Sequence, residues 1–346
     1  MFHSTDVMRM QRLLLTAIAA SLLWAGLTLA AKPGGGGSGG TGGGAIYFNW
    51  SGVGTATMNS DGGGKTPLPA GVFGEPSRAL QGGHRWFLRE RDIPGETYPN
   101  GTNRVELFAI RDDGDETFTV QLTNDPDLEA FGSARWQPGD FGVSWVARRW
   151  DNLTGTVVDG GIYQAFLIYD ADGNIAGLAA QPAAPLVPAI PIDNGDGTLR
   201  PDIRTHDWSP DGTQLVFDIF PGVALWIFDA LVDPATGPHS TLLLQAGPNS
   251  WSNGPTWSPA GTTIAFNSAE GIDTISPNGS NHKTILKTVA TSIVEDPHWS
   301  PTGTHLTYRY VNRRSWESDV YRAAADGSGR KNLTSEIDSA APDAWR

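Results

Sequence analysis

The stretch Trp208-Ser209-Pro210-Asp211-Gly212, followed by the apolar run Leu215-Val216-Phe217, returns along the chain, and a repeating unit commits the fold to repetition. It recurs as Trp257-Ser258-Pro259-Ala260-Gly261 before Ile264-Ala265-Phe266, and as Trp299-Ser300-Pro301-Thr302-Gly303 before Leu306-Thr307-Tyr308. Weaker copies lie upstream: Trp136-Gln137-Pro138-Gly139-Asp140 before Val143-Ser144-Trp145-Val146, and Pro76 to Gly83 before Trp86-Phe87-Leu88. Pro342-Asp343-Ala344-Trp345 is a last fragment. Serine at the first turn position, proline with its φ already set at the second and glycine at the fourth spell a tight turn between two strands.

A second unit alternates with the first: an apolar strand, an Asp-Gly or Asn-Gly turn, and a shorter strand often ending in Leu-Thr. Its turns are Asp61-Gly62, Asp113-Gly114, Asp172-Gly173, Asn278-Gly279 and Asp326-Gly327, with the longer Asp233 to Gly237 in one copy. These are strong hairpin signals. Two hairpins make a four-stranded unit. Trp136, Trp208, Trp257, Trp299 and Trp345 lie 72, 49, 42 and 46 residues apart. A period of roughly 40 to 50 residues per four-stranded unit is that of a β-propeller, and the longest interval carries the Pro-rich insertion Gln181 to Asp202. The 43 glycines, 24 prolines and 13 tryptophans suit such an all-β chain, which needs many turns and large anchors between sheets.

Arg9 and Arg12 precede an apolar run from Leu13 to Ala31 that ends in small residues, so residues 1–31 read as an export signal, or as an uncleaved membrane anchor. Its removal takes away one acid and two bases and moves the formal charge of −13 to −14. That acidity argues against a nucleic-acid partner. With no cysteine, thiol chemistry, disulfides and lipoprotein acylation are excluded. Residues 32–44 form a glycine-rich linker. Gly36 to Gly40 spells the hydrolase nucleophile pattern without its strand and helix, and Gly64-Lys65-Thr66 lacks the first glycine of a phosphate loop, so neither is a site.

The combination Trp-Ser-Pro-Asp-Gly, two apolar strands, Asp-Gly-Ser and Leu-Thr resembles the propeller repeats of the TolB family over residues 45–346. The resemblance implies an exported, periplasmic or secreted binding protein. TolB carries an N-terminal α/β domain where this chain has the glycine linker. Ile46-Tyr47-Phe48 reads as a strand that should follow a Trp-Pro turn, and Trp345 stands where that strand is missing. The reading is therefore a six-bladed β-propeller closed by one blade shared between N- and C-terminal strands. Blades 1 to 5 fall at residues 75–124, 131–180, 204–246, 254–288 and 296–335.

In such a meander both kinds of turn lie on one rim. The opposite rim carries the longer connections: Arg91 to Asn103, Trp150 to Gly161, Gln181 to Asp202, Gly247 to Gly254 and Val311 to Glu317. Long loops on a rigid scaffold are where binding concentrates. Arg89, Arg91, Arg148, Arg149, Arg309, Arg313 and Arg314, with Trp150 and Trp316, fall at or after second strands and form the candidate partner surface. The competing reading pairs them with Glu90, Asp92, Asp151 or Glu317 as solvated ion pairs. His206, Asp207, Glu295, Asp296 and His298 precede inner-strand turns and are candidates to line the channel. Asp170, Asp172 and Asn174 imitate part of a calcium loop without its later ligands and are turn residues.

The expected function is non-catalytic docking of an anionic protein segment or envelope polymer at the long-loop rim and channel mouth, by a monomer without cofactor or metal. The alternative is a lyase or glycosidase with a channel-lining His/Asp or metal site, since propellers host many chemistries. A purely structural, displayed protein is a third class.

Overall fold

The turn chemistry organises the chain as read. The Ser209 carbonyl accepts the Gly212 amide at 2.9 Å, Gly212 takes φ 72°, and Ser209 Oγ accepts the amide of Gln214 at 2.9 Å. Ser258 and Ser300 repeat the arrangement with Thr263 and His305, each at 3.1 Å. Even the degenerate copy keeps its serine, for Ser77 Oγ accepts the amide of Trp86 at 3.2 Å.

The computed structural model describes residues 44–346 except 99–100, 152, 154–155, 189–190, 194–198, 202, 220–223, 233–238, 248–250 and 338. The expected export signal, and the linker up to residue 43, lie outside the described residues. Six antiparallel sheets follow one another around a ring. Blade 1 is Glu75–Pro76, Trp86–Thr97, Asn103–Arg111 and Thr119–Gln121, and blade 2 is Leu128–Trp136, Gly142–Asp151, Thr156–Tyr169 and Ile175–Leu178. Blade 3 is Ile203–Trp208, Gln214–Ile219, Ala224–Asp229 and Ser240–Gln245, and blade 4 is Ser252–Trp257, Ile264–Ser268, Gly271–Ile275 and Lys283–Lys287. Blade 5 is Ser292–Trp299, His305–Asn312, Ser318–Ala324 and Lys331–Asn332. In blade 6 the strand Ala340–Trp345 lies beside Ala45–Trp50, with Ile46 opposite Trp345, and Gly54–Asn59 and Thr66–Pro67 complete the sheet.

Each contact between neighbouring blades holds its own buried cluster, and the six clusters together go once around the ring. Trp86, Trp136, Trp145 and Tyr163 fill the space between blades 1 and 2, and Val146, Trp208 and Phe217 that between 2 and 3. Leu225, Trp257 and Phe266 join 3 to 4, and Ile272, Trp299 and Tyr308 join 4 to 5. Phe48, Val320 and Trp345 join 5 to 6, and Tyr47, Phe87 and Ala344 join 6 to 1.

The repeat tryptophan does more than fill volume. Trp136 Nε1 donates to the carbonyl of Glu75 at 2.8 Å, and Trp299 Nε1 to that of Thr256 at 3.3 Å, so each ring is stapled to the inner strand of the preceding blade. Trp208 Nε1 donates instead to Ser144 Oγ at 2.9 Å. The indole N–H of Trp257 is buried with no partner among the described residues.

Two of the connections expected as loops are strand. The second strand of blade 1 runs on to Thr97 and that of blade 2 to Asp151, because polar residues there find cross-strand partners. Arg91 stands opposite Glu106, and Asn103 Nδ2 donates to Asp92 Oδ2 at 2.9 Å. Within the insertion, Val187–Pro188 joins the blade 2 sheet, and Pro191–Asp193 pairs with Leu199–Pro201 as a separate hairpin. The only helical turn among the described residues is Glu116–Phe118.

Candidate functional site

The inner strands of blades 2 to 6 each bulge ahead of their tryptophan. At three of these bulges, Ser133, Gly254 and Asp296 take φ of 47°, 59° and 55°. A bulge leaves backbone donors off the ladder, and the preceding blade satisfies them. Ser133 Oγ accepts the His206 amide at 3.3 Å, Thr205 Oγ1 accepts that of Gly254 at 3.2 Å, and Asn267 Oδ1 accepts that of Asp296 at 2.8 Å.

Past the bulge, the residue just before the repeat tryptophan of blades 2 to 5 (Arg135, Asp207, Thr256 and His298) contributes to a polar cluster on the inner strands, with Glu75 supplying blade 1 and Asp343, two residues before Trp345, supplying blade 6. Arg346 and Arg135 converge on the Glu75 carboxylate, Arg135 Nη1 at 3.7 Å. Arg78 reaches from blade 1 past blade 2 to Asp207 of blade 3 at 3.7 Å. Asp207 also accepts the Trp257 amide at 2.8 Å and so ties blade 3 to blade 4. Burial alone would push Glu75 up, but Arg346, Arg135, His298 and Arg78 outweigh it and hold the carboxyl below its ordinary value. His298 is lowered to about 4 by burial, against the pull of Glu75. Asp343 is pushed up to about 7 by burial, with Glu75 and Asp296 adding repulsion. Asp296 and Glu295 are likewise raised by burial, and Arg309 Nη1 holds Glu295 at 3.0 Å.

His206 does not line the channel. The bulge between Ile203 and His206 turns its ring into the wall of blade 2, where it is fully buried and its Nε2 lies 2.7 Å from Ser144 Oγ. Trp208 Nε1 donates to the same hydroxyl, so Ser144 Oγ links the two rings inside the wall. This pair imitates a nucleophile and base, yet Ser144 is also fully buried and Nδ1 has no orienting partner, so no substrate reaches it. Burial drives the imidazole well below its usual range.

Ligand atoms of His84, Asp112 and Asp113 lie within 4.8 Å of one another. They are already engaged: Nδ1 meets Asp112 at 2.9 Å, Asp112 accepts the Arg85 amide at 3.0 Å, and Arg111 holds Asp113. The calcium-like run is a turn, with Asp170 Oδ1 accepting the amides of Asp172 and Asn174 at 2.9 and 2.8 Å.

On the opposite rim the arginines divide. Arg149 pairs with Asp125 at 3.3 Å and Arg309 with Glu295, while Arg148 stands opposite Glu129 across the strand pair. Arg89 lies over Phe73, its guanidinium 3.1 Å from the ring centre. Trp150 stacks on Tyr98 of blade 1 and donates to Glu129 at 3.0 Å, which makes it an interblade strut. Arg91, Arg313 and Arg314 are exposed, and Trp316 is 67% exposed with φ 62°. Missed from the sequence were Glu75, Arg78, Arg135, Asp343 and Arg346. Arg135 and Glu75 were marked only by standing one residue before a turn unit.

With the six blades and their rims in place, comparison with solved structures decides the type of ring. The chain is similar to TolB from Acinetobacter baumannii, at 17% identity and a TM-score of 0.54, over 88% of this chain and 67% of that one. The fold is a TolB-type propeller. A periplasmic gluconolactonase from Pseudomonas aeruginosa (11% identity, TM-score 0.48, 83% and 81% covered) is a more distant likeness. So is an oligogalacturonate lyase from Vibrio parahaemolyticus (13%, 0.43, 84% and 73%). The likeness to TolB concerns the fold alone. No family model and no curated protein matches the chain.

Proposed function

We propose that this is an exported, periplasmic or secreted, non-catalytic binding protein that docks an acidic protein segment at the long-loop rim and channel mouth. The observation that carries the reading is the Val311 to Glu317 connection of blade 5. Trp316 stands two-thirds exposed there, and Arg313 and Arg314 have no side-chain partner among the described residues. The loop is held in shape: Trp316 N donates to the Asn312 carbonyl at 2.7 Å, and Asn312 Oδ1 accepts the Arg314 amide at 2.9 Å. An exposed indole and two free guanidinium groups on a hydrogen-bonded loop form an anchor whose backbone is preorganised, so that ordering on binding falls on the side chains alone. In a chain of formal charge −13 these cations form a local positive field that steers acidic partners.

The test uses fluorescence anisotropy with a labelled Glu/Asp-rich peptide, comparing wild type with Arg313→Ala/Arg314→Ala/Trp316→Ala. Saturable binding that weakens with salt and is lost in the triple variant, at unchanged melting temperature, supports the reading. Binding that survives the triple variant overturns it, and preference for polygalacturonate over the peptide reassigns the partner to an envelope polymer.

One observation favours the enzymatic alternative. Asp343, raised to about 7 beside Glu75, has the proton affinity that a general acid needs near neutrality. Turnover of an acidic polysaccharide, abolished by Asp343→Ala, would establish that reading instead.

A further inference from the structure

The blades are not equivalent at one interface position. On the third strands of blades 1, 3, 4 and 5, the residue after the one opposite the last leucine of the fourth strand faces the preceding blade. In blades 1, 3 and 5 it is Phe108, Trp226 or Tyr321, each packed on the neighbouring apolar cluster. In blade 4 the register Ile272 opposite Leu286 puts Asp273 at that position. A short carboxylate replaces an aromatic plug, and a cavity of about 290 Å³ opens between blades 3 and 4.

Asp273 is 5% exposed and forms part of the cavity wall. Its Oδ2 accepts from His282 Nε2 at 2.8 Å, and the His282 ring is stacked on Phe266 with centroids 5.7 Å apart, so the imidazole is fixed from two sides. The other oxygen, Oδ1, is shielded from bulk solvent and accepts no hydrogen bond. A buried acceptor left unpaired is destabilising, and the fold has an aromatic solution to the same space in three sister blades. The remaining wall combines the apolar Leu244 with Gln245, Glu270 and Lys283. Two carboxylates against one lysine, around an unfilled acceptor, favour a donor that carries positive charge.

We propose that this interblade cavity is a binding site for a small organic cation, an alkylammonium or guanidinium group that pairs with the Asp273 carboxylate while its carbon stem lies along Leu244. The group belongs either to a free amine or to a lysine or arginine side chain of another protein. The volume admits one such group and not a folded segment. This site reaches the same rim through Gly247 but stands apart from the Trp316 anchor proposed above, since none of its walls belongs to blade 5.

The experiment titrates full-length protein with n-butylammonium, methylguanidinium and acetyl-lysine-amide, and follows the His282 ring signals by NMR with sorbitol as neutral control. Saturable shifts are expected with the cations and not with sorbitol. They should disappear in Asp273→Asn, which keeps the shape and removes the charge, and in Asp273→Phe, which restores the plug of the sister blades. Asp273→Phe should also melt higher than wild type without ligand; if it fails to fold, Asp273→Asn decides. Tighter binding of acetyl-lysine-amide assigns the source to a protein side chain, and tighter binding of butylammonium to a free amine. Absence of saturable shifts in wild type, equal shifts with sorbitol, or shifts retained in Asp273→Asn would overturn the proposal.

Discussion

Trp136 and Trp257 offer a controlled comparison of what the repeat tryptophan does, because they occupy the same place in successive copies and differ in one bond. Both are buried, at 1% and 5% exposure, and replacement of either by Phe removes a similar ring volume. Trp136→Phe also deletes the 2.8 Å bond to the Glu75 carbonyl, a net loss of about 0.5 to 1.5 kcal/mol. Trp257→Phe deletes an N–H that is buried without a partner, and so relieves a desolvation penalty of about 1 to 3 kcal/mol. The first variant should therefore be less stable than the second by about 1.5 to 4.5 kcal/mol. A ring of about 300 residues gains roughly 0.6 kcal/mol per degree of entropy-driven instability near its midpoint, so the melting temperatures should differ by about 2 to 7 °C. Calorimetry on the two variants reads this directly. Equal melting temperatures, or a lower one for Trp257→Phe, would show that the indole N–H does not staple blade to blade.

Deleting Ala340–Arg346 should lower the melting temperature by more than the loss of Trp345 alone, which at 1% exposure costs about 3 to 5 kcal/mol, because Ile46 and Phe48 lose their cover as well; an unchanged melt would refute a structural role for this strand. Asp343→Asn should stabilise the protein at pH 8 and leave it unchanged near pH 4. The folded-state value of about 7 lies above the ordinary carboxylate value of 3.8, so the native carboxyl contributes stability that is lost as pH rises through 7; denaturant melts at the two pH values check this. His206 and His298 act in the opposite direction, since both are lowered in the folded state, His298 to about 4. Stability should therefore fall as pH drops below 6.5, by about 1.4 kcal/mol per unit for each histidine until its folded value is passed. His206→Gln should flatten that acid limb in a melting-temperature profile.

Much of the fold was written locally. The serine of each turn binds an amide five residues on, or nine in blade 1, so its signature survives within one repeat and allows the blades to be counted. The Leu-Thr strand is equally local: Thr123 and Thr334 accept the amides of Leu107 and Val320 of the same blades, at 2.8 and 2.9 Å. The polar cluster is a different kind of object. Arg78 and Asp207 belong to blades 1 and 3, and the approach of Arg346 to Glu75 joins distant parts of the chain, so no spacing within a repeat marks them. His206 was misplaced because a bulge reverses which way a strand residue points, and nothing around it distinguishes a bulged strand from a regular one. The rim arginines were singled out by position, and the acids that occupy Arg149 and Arg309 come from the preceding connection and the inner strand, Asp125 and Glu295, rather than from the sequence neighbours expected to pair with them.

Hydrogen exchange of the full protein, with and without a saturating Glu/Asp-rich peptide at low salt, tests most directly whether the long-loop rim is the working face. The account predicts slowed exchange in residues 311–318 and in the 86–97 strand, with the Ser-Pro turns at Ser209, Ser258 and Ser300 unchanged. Protection confined to those turns, or found nowhere on the ring, would contradict it.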